Sequence, residues 1–154
     1  MNLKTAILFV LLIINYSCNV SQEGTDCSLV DCAIEQWFSI ELVDASGNNL
    51  FTNGTYSLSE ISINYNESEV DVIPFNSNDF LNFIVENKSG ESIYTIRFSE
   101  SEIDTLNLNL VELNQTSECC GPYFDIETAT YNTTDYKVLP NENRDFFKIT
   151  IIKP

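Results

Sequence analysis

The sequence predicts an all-β protein, an antiparallel β-sandwich of about eight or nine short strands. Three observations carry that expectation. Apolar residues recur at every second position over short stretches, which is the period of a half-buried strand. Clusters of Asn, Asp, Ser and Gly interrupt those stretches roughly every 8 to 14 residues. Ile, Asn, Ser and Thr are plentiful while Ala is scarce, and no long segment shows the 3.6-residue period of an amphipathic helix.

The first strand is read from Phe38, Ile40 and Leu42, which alternate with Ser39 and Glu41. Trp37, the sole tryptophan, stands in the opposite phase, towards the polar side. An aromatic in that place can stack on a sugar ring, but the plainer role is to cap the sandwich edge and cover nearby disulfides. The turn residues "DASGNN" close this strand. A short segment at Leu50 and Phe51 then meets "TNGT", where Asn53-Gly54 suits the positive φ angles of a tight hairpin turn.

The pattern then repeats. Ile61, Ile63 and Tyr65 alternate with Ser62 and Asn64; Val70 and Val72 follow "NES", and Pro74 ends that strand. Leu81, Phe83 and Val85 form the next strand, and Tyr94, Ile96 and Phe98 the one after. Residues 100–104 admit at most a brief helical turn. Leu106, Leu108 and Leu110 alternate with Asn107 and Asn109 before the phase flips to Val111 and Leu113, which places a β-bulge near Leu110. Phe124 with Ile126, Tyr136 with Val138, and Phe147 with Ile149 and Ile151 complete the set.

The N-terminus speaks to location. "MNLKTAILFVLLIINYSC" has a positive charge at Lys4 and an unbroken apolar run over residues 6–14. That run is about half of the roughly 20 residues a bilayer span requires, so it reads as the apolar region of a signal peptide covering residues 1–17. Cleavage before Cys18 puts Asn15 and Ser17 where an ordinary secretory site carries small residues. An apolar run, the small Ser17 and then Cys18 resembles the lipobox of bacterial lipoproteins, in which the cysteine receives diacylglycerol. The plainer alternative is a free or disulfide-bonded cysteine just past an ordinary signal peptide. Cysteine arithmetic favours the lipid: five cysteines are odd for an exported chain, and giving Cys18 to lipid leaves Cys27, Cys32, Cys119 and Cys120 as an even set.

The domain plan is then a signal peptide (1–17), a lipid-anchored tether ending in a disulfide-stapled segment (18–35) and one β-sandwich domain (36–154). Losing residues 1–17 removes Lys4 and no acid, so a formal charge of −16 becomes −17. Nucleic-acid binding depends on neutralising phosphates with Lys and Arg, and a polybasic grip on anionic lipid needs the same residues, so both classes are struck out. The acids are spread along the chain and read as a solvated, self-repelling surface. The seven Asn-x-Ser/Thr sequons follow from the abundance of Asn, Ser and Thr.

Few residues point to chemistry. The chain has no histidine, which removes Ser-His-Asp and Cys-His nucleophile pairs and the commonest zinc ligand. The four remaining cysteines lack the C-x2-C spacing of a zinc ribbon, and an exported chain favours disulfides. A bond between the adjacent Cys119 and Cys120 closes a strained ring, so each is expected to pair with Cys27 or Cys32, in an order left open. Each bridge closes a loop of roughly 90 residues, worth about 4 kcal/mol in the chain-entropy model. Carboxylates spaced by two on likely strands, Glu69 with Asp71 and Glu100, Glu102 and Asp104, can share a face. Paired acids hydrolyse glycosides or hold calcium, but no calcium-loop motif is present and exposed acids on a strand's polar face are the ordinary case. No catalytic residue, metal or cofactor is expected.

The stretch "FSIELVDASGNNLFTNGTYSLSEISI" resembles the first hairpin of the prealbumin-like and immunoglobulin-like modules of exported bacterial proteins. Together with the lipobox, the chain resembles the small β-sandwich lipoproteins of Bacteroidota. That resemblance implies an extracytoplasmic protein, lipid-anchored to the bacterial outer membrane. With no histidine and no acid pair singled out by a motif, the chain is expected to lack enzymatic activity and to act as an accessory or interaction module for an envelope protein. The alternative is a glycan- or small-ligand-binding lipoprotein using Trp37 and surface tyrosines, with an acid-pair hydrolase a distant third.

Two experiments check these expectations. Mass spectrometry of the membrane-bound protein should find a diacylglyceryl adduct on Cys18, and Cys18→Ser should release or mislocalise the chain. Unmodified Cys18 in a soluble mature form overturns the lipid assignment. Non-reducing peptide mapping should give one cross-linked cluster joining Cys27 and Cys32 to Cys119 and Cys120. A vicinal Cys119–Cys120 bond, or stoichiometric zinc in folded reduced protein, overturns the staple.

Overall fold

The computed structural model describes residues 35–73, 79–113, 119–120, 122–141 and 145–153, all within one unit of the chain, Asp31–Pro154. Alternation decides the architecture. Phe38, Ile40 and Leu42 are fully buried on one side of the first strand, and the same rhythm recurs at Leu106, Leu108 and Leu110 and at Phe147, Ile149 and Ile151. Such strands bury one face, and two sheets laid face to face are the stable way to do so.

Ten strands form among the described residues: β1 (Trp37–Val43), β2 (Ser62–Tyr65), β3 (Ser68–Val70), β4 (Leu81–Ile84), β5 (Gly90–Arg97), β6 (Ile103–Leu113), β7 (Tyr123–Tyr131), β8 (Thr134–Tyr136), β9 (Leu139–Pro140) and β10 (Phe146–Ile152). They build a four-stranded sheet in the order β4-β1-β10-β9 and a six-stranded sheet in the order β3-β2-β5-β6-β7-β8. The fold is a β-sandwich, and a single 3-10 turn at Leu58–Glu60 is the sole helical element described.

The aromatic centre shows how the sheets meet. Phe38 of β1 packs on Phe83 of β4 with ring centroids 5.7 Å apart. Phe83 in turn reaches Tyr94 of β5 at 5.1 Å, and Tyr94 stacks on Tyr65 of β2 at the same distance. Tyr94 is buried, so its hydroxyl needs a partner; it accepts a hydrogen bond from the Glu86 backbone N–H at 2.9 Å. Burial is the main reason its ionisation is pushed up to about 12.

Three local expectations are corrected, and the bulge expected near Leu110 is found there with its extra residue on the partner strand. The pairing is not antiparallel throughout, since β1 and β10 run parallel from Trp37↔Phe146 to Val43↔Ile152. Leu50 and Phe51 are buried but lie in turns, where Tyr56 N–H bonds the Leu50 carbonyl at 3.0 Å. In "TNGT" Gly54 alone takes positive φ, +79°, so Asn53-Gly54 is no two-residue hairpin; the tight turn is Asn66-Glu67 between β2 and β3, with φ of +48° and +67°. Finally, the bulge lies opposite Leu110. Asn109 faces Thr128 and Leu110 faces Ile126, so the extra residue is Glu127 of β7. Glu127 and Thr128 both point outward between buried Ile126 and Ala129, whereas Val111 remains 37% exposed.

Candidate functional site

The inward phase of two strands does not end with their apolar residues. Asp104 shares the phase of Leu106, Leu108 and Leu110 on β6, and Lys153 continues that of Phe147, Ile149 and Ile151 beyond β10. The Lys153 N–H still bonds the Val43 carbonyl at 2.9 Å, which keeps the chain extended there. The pleat thus carries a carboxylate and an ammonium inward from opposite sheets, at one end of the sandwich.

There they meet. Lys153 Nζ lies 2.8 Å from Asp104 Oδ2, with each side chain only 11% exposed. Lys153 also contacts Glu102 Oε1, and its ammonium sits 3.9 Å from the Phe98 ring centroid and 5.0 Å from that of Tyr56. Tyr131 donates its hydroxyl hydrogen to Asp104 Oδ2 at 2.6 Å, and Asn132 Nδ2 donates to Oδ1 at 2.9 Å. Tyr56 donates to Glu102 Oε1 at 2.7 Å. Asn132 has φ +52°, and its side-chain oxygen accepts the Thr105 N–H at 2.9 Å, which fixes the turn that aims its amide at Asp104.

Protonation follows from these contacts. Burial alone raises the Asp104 pKa, but hydrogen bonds from Lys153, Tyr131 and Asn132, with the lysine charge, outweigh it and hold the carboxyl below its usual range. Burial opposes ionisation of Glu102 as well, and bonds from Lys153 and Tyr56 reverse that. Burial disfavours the Lys153 ammonium, yet Asp104 and Glu102 raise its pKa overall. Tyr131 is driven strongly upward by burial and then by the Asp104 carboxylate. At neutral pH the cluster holds two carboxylates, one ammonium and neutral tyrosines.

Two hollows adjoin the cluster and share Tyr56. One, of about 380 Å³, is lined by the cluster together with Thr134, Tyr136, Ile151 and Ile152. The other, of about 520 Å³, lies among Phe51, Gly54, Ser57, Leu58, Ser59 and Val72. Of the acids singled out in the sequence, Glu102 and Asp104 come together here. Glu100 is exposed in the bend before β6, ruling out a helical turn over 100–104, and Glu69 and Asp71 are exposed on and just after β3. Trp37 lies half-buried on β1 in the phase of Ser39 and Glu41, among the lining residues of neither hollow. Cys18, Cys27 and Cys32 lie outside the described residues, and neither Cys119 nor Cys120 is a free thiol. Among the described residues no group of three or more His, Cys, Asp or Glu is placed to hold a metal ion.

Tyr56, Tyr131, Asn132 and Lys153 had no place in the sequence-based reading of the site. For Lys153 a signal was present: a charge two residues beyond Ile151, in the buried phase. No family model, curated protein or solved structure matches the chain.

Removing one member of a largely buried ion pair leaves the other without compensation. Lys153→Met should therefore lower the unfolding free energy by roughly 2–4 kcal/mol at neutral pH, measured by chemical denaturation. Carboxylates with depressed pKa values stabilise the fold above the unfolded carboxylate range of about 4 and cease to do so as pH falls through their folded values. The gap between wild type and Lys153→Met should stay level from about pH 5 to 9 and shrink below about pH 4. A gap independent of pH would show that Lys153 contributes packing alone.

Proposed function

We propose that the chain is a lipid-anchored protein of the bacterial envelope, held by acyl chains on Cys18, and that its sandwich is a non-enzymatic accessory or interaction module. The observation that carries this reading is the condition of the carboxylates in the cleft. Asp104 accepts hydrogen bonds from Tyr131 and Asn132 and pairs with Lys153, and Glu102 is tied to Lys153 and Tyr56. A general acid must still hold a proton near neutral pH, and both groups are pushed away from that range; as bases, both already accept hydrogen bonds and pair with Lys153. Among the described residues no helix is long and apolar enough to cross a membrane, and the proposed attachment runs through lipid.

The glycan- or small-ligand-binding reading stands second, favoured by one observation: Tyr56, Tyr131, Tyr136, Asn132 and Thr134 line one cleft. Aromatic faces beside amide and hydroxyl groups suit a polyhydroxylated ligand.

A chain of formal charge −16 should recruit a partner with basic patches, and such binding weakens as salt screens the charges. Pull-down from envelope extracts should retain a partner at low salt and lose it at high salt. Turnover of a glycan or ester panel that disappears in Glu102→Gln or Asp104→Asn moves the protein into the enzyme class instead.

A further inference from the structure

The two hollows that meet at Tyr56 differ in character. Phe51, Leu58 and Val72 give one an apolar wall, whereas Glu102, Asp104 and Lys153 make the wall of the other charged. The charged wall does not balance, because two carboxylates face one ammonium. Asp104 has both oxygens engaged, Oδ1 by Asn132 and Oδ2 by Tyr131 and Lys153. In Glu102, Oε1 takes the bonds from Tyr56 and Lys153, and Oε2 takes none among the described residues. The Glu102 side chain is 38% exposed, so the surplus negative charge sits where a partner can reach it.

From this we infer that the two adjacent hollows serve as a docking groove for a short peptide segment that presents an apolar side chain next to a basic one. The apolar side chain enters between Phe51, Leu58 and Val72, and the basic one pairs with Glu102 Oε2. The inference rests on the interaction-module reading and names its site and the chemistry of its partner. Charge complementarity selects the occupant: a neutral saccharide can give the unpaired carboxylate oxygen only a hydroxyl hydrogen bond, while an Arg or Lys head gives it a charge-assisted one and cancels the surplus negative charge. The acidic surface of the whole chain draws the same class of partner from a distance.

The test is photo-affinity labelling of the full-length lipoprotein in detergent. The probes are blocked tripeptides pairing benzophenone-alanine with Arg or with Glu, and an oligosaccharide carrying the same photophore. The Arg peptide should label the 51–59 segment or Val72, mapped by mass spectrometry, and the Glu peptide should not. Labelling should fall about fivefold in Glu102→Gln, the scale of an exposed charge pair, and should be unchanged in Glu91→Gln on β5. Val72→Glu, away from the ion cluster, should also reduce it and guards against misfolding of Glu102→Gln. Label spread over the surface, equal labelling by the Glu peptide, or labelling of the groove by the saccharide alone overturns the inference. Salt-sensitive capture of an envelope partner that survives Glu102→Gln and Val72→Glu sinks the groove and leaves the interaction module standing. Loss of capture under all conditions, with the groove still labelled by the Arg peptide, sinks the module instead.

Discussion

A charge carried inward by strand pleating must find its opposite, and the end of this sandwich is organised by that constraint. Asp104 and Lys153 occupy inward positions on facing sheets, 2.8 Å apart and almost fully covered. Either one alone would face a desolvation cost of several kcal/mol. Their meeting joins the end of β10 to β6 and keeps in place the carboxylate that accepts the buried Tyr131 hydroxyl. Glu102 follows from the same register, two residues earlier, and Tyr56 is drawn over the ammonium by its hydrogen bond to Glu102 and its ring contact with Lys153. Tyr56 lines both hollows, so their shape depends on how the ion pair and Glu102 hold it.

Most strands were legible because alternation is a local signal. Phe38, Ile40 and Leu42, or Phe147, Ile149 and Ile151, announce their buried face without reference to anything distant. What alternation cannot show is which strand lies beside which. The parallel β1–β10 pair joins the two ends of the domain, and no nearby residue encodes it. The bulge was legible in position and not in identity: the break in spacing between Ile126 and Ala129 marks the strand that holds the extra residue, while the apolar Val111 and Leu113 drew attention to its partner. Asn53-Gly54 carried the stronger hairpin motif, yet Asn66-Glu67 makes the turn, because short pairing of β2 with β3 imposes positive φ on a pair without glycine.

The site was half legible for the same reason. Spacing alone brought Glu102 and Asp104 to notice as acids on one face. Their partner is remote in sequence, so spacing could not show that Lys153 meets both acids and offsets one of their two charges. The outer face of the small sheet repeats the lesson at lower stakes. Trp37 shares that face with Glu41, which pairs with Lys148 at 2.8 Å, and with Ser39, whose hydroxyl bonds the buried Asn82 side chain.

An apolar pair in place of Asp104 and Lys153 would seal the same end of the sandwich without desolvating two charges, and buried ion pairs often compare poorly with such replacements. The charged arrangement therefore has to be weighed by what it adds. It holds Tyr131 and Asn132 in one orientation and turns Tyr56 across the boundary between the two hollows. It also leaves Glu102 at the mouth with more negative charge than Lys153 can cancel. The proposed recognition of a basic group next to an apolar one would use all three of these consequences.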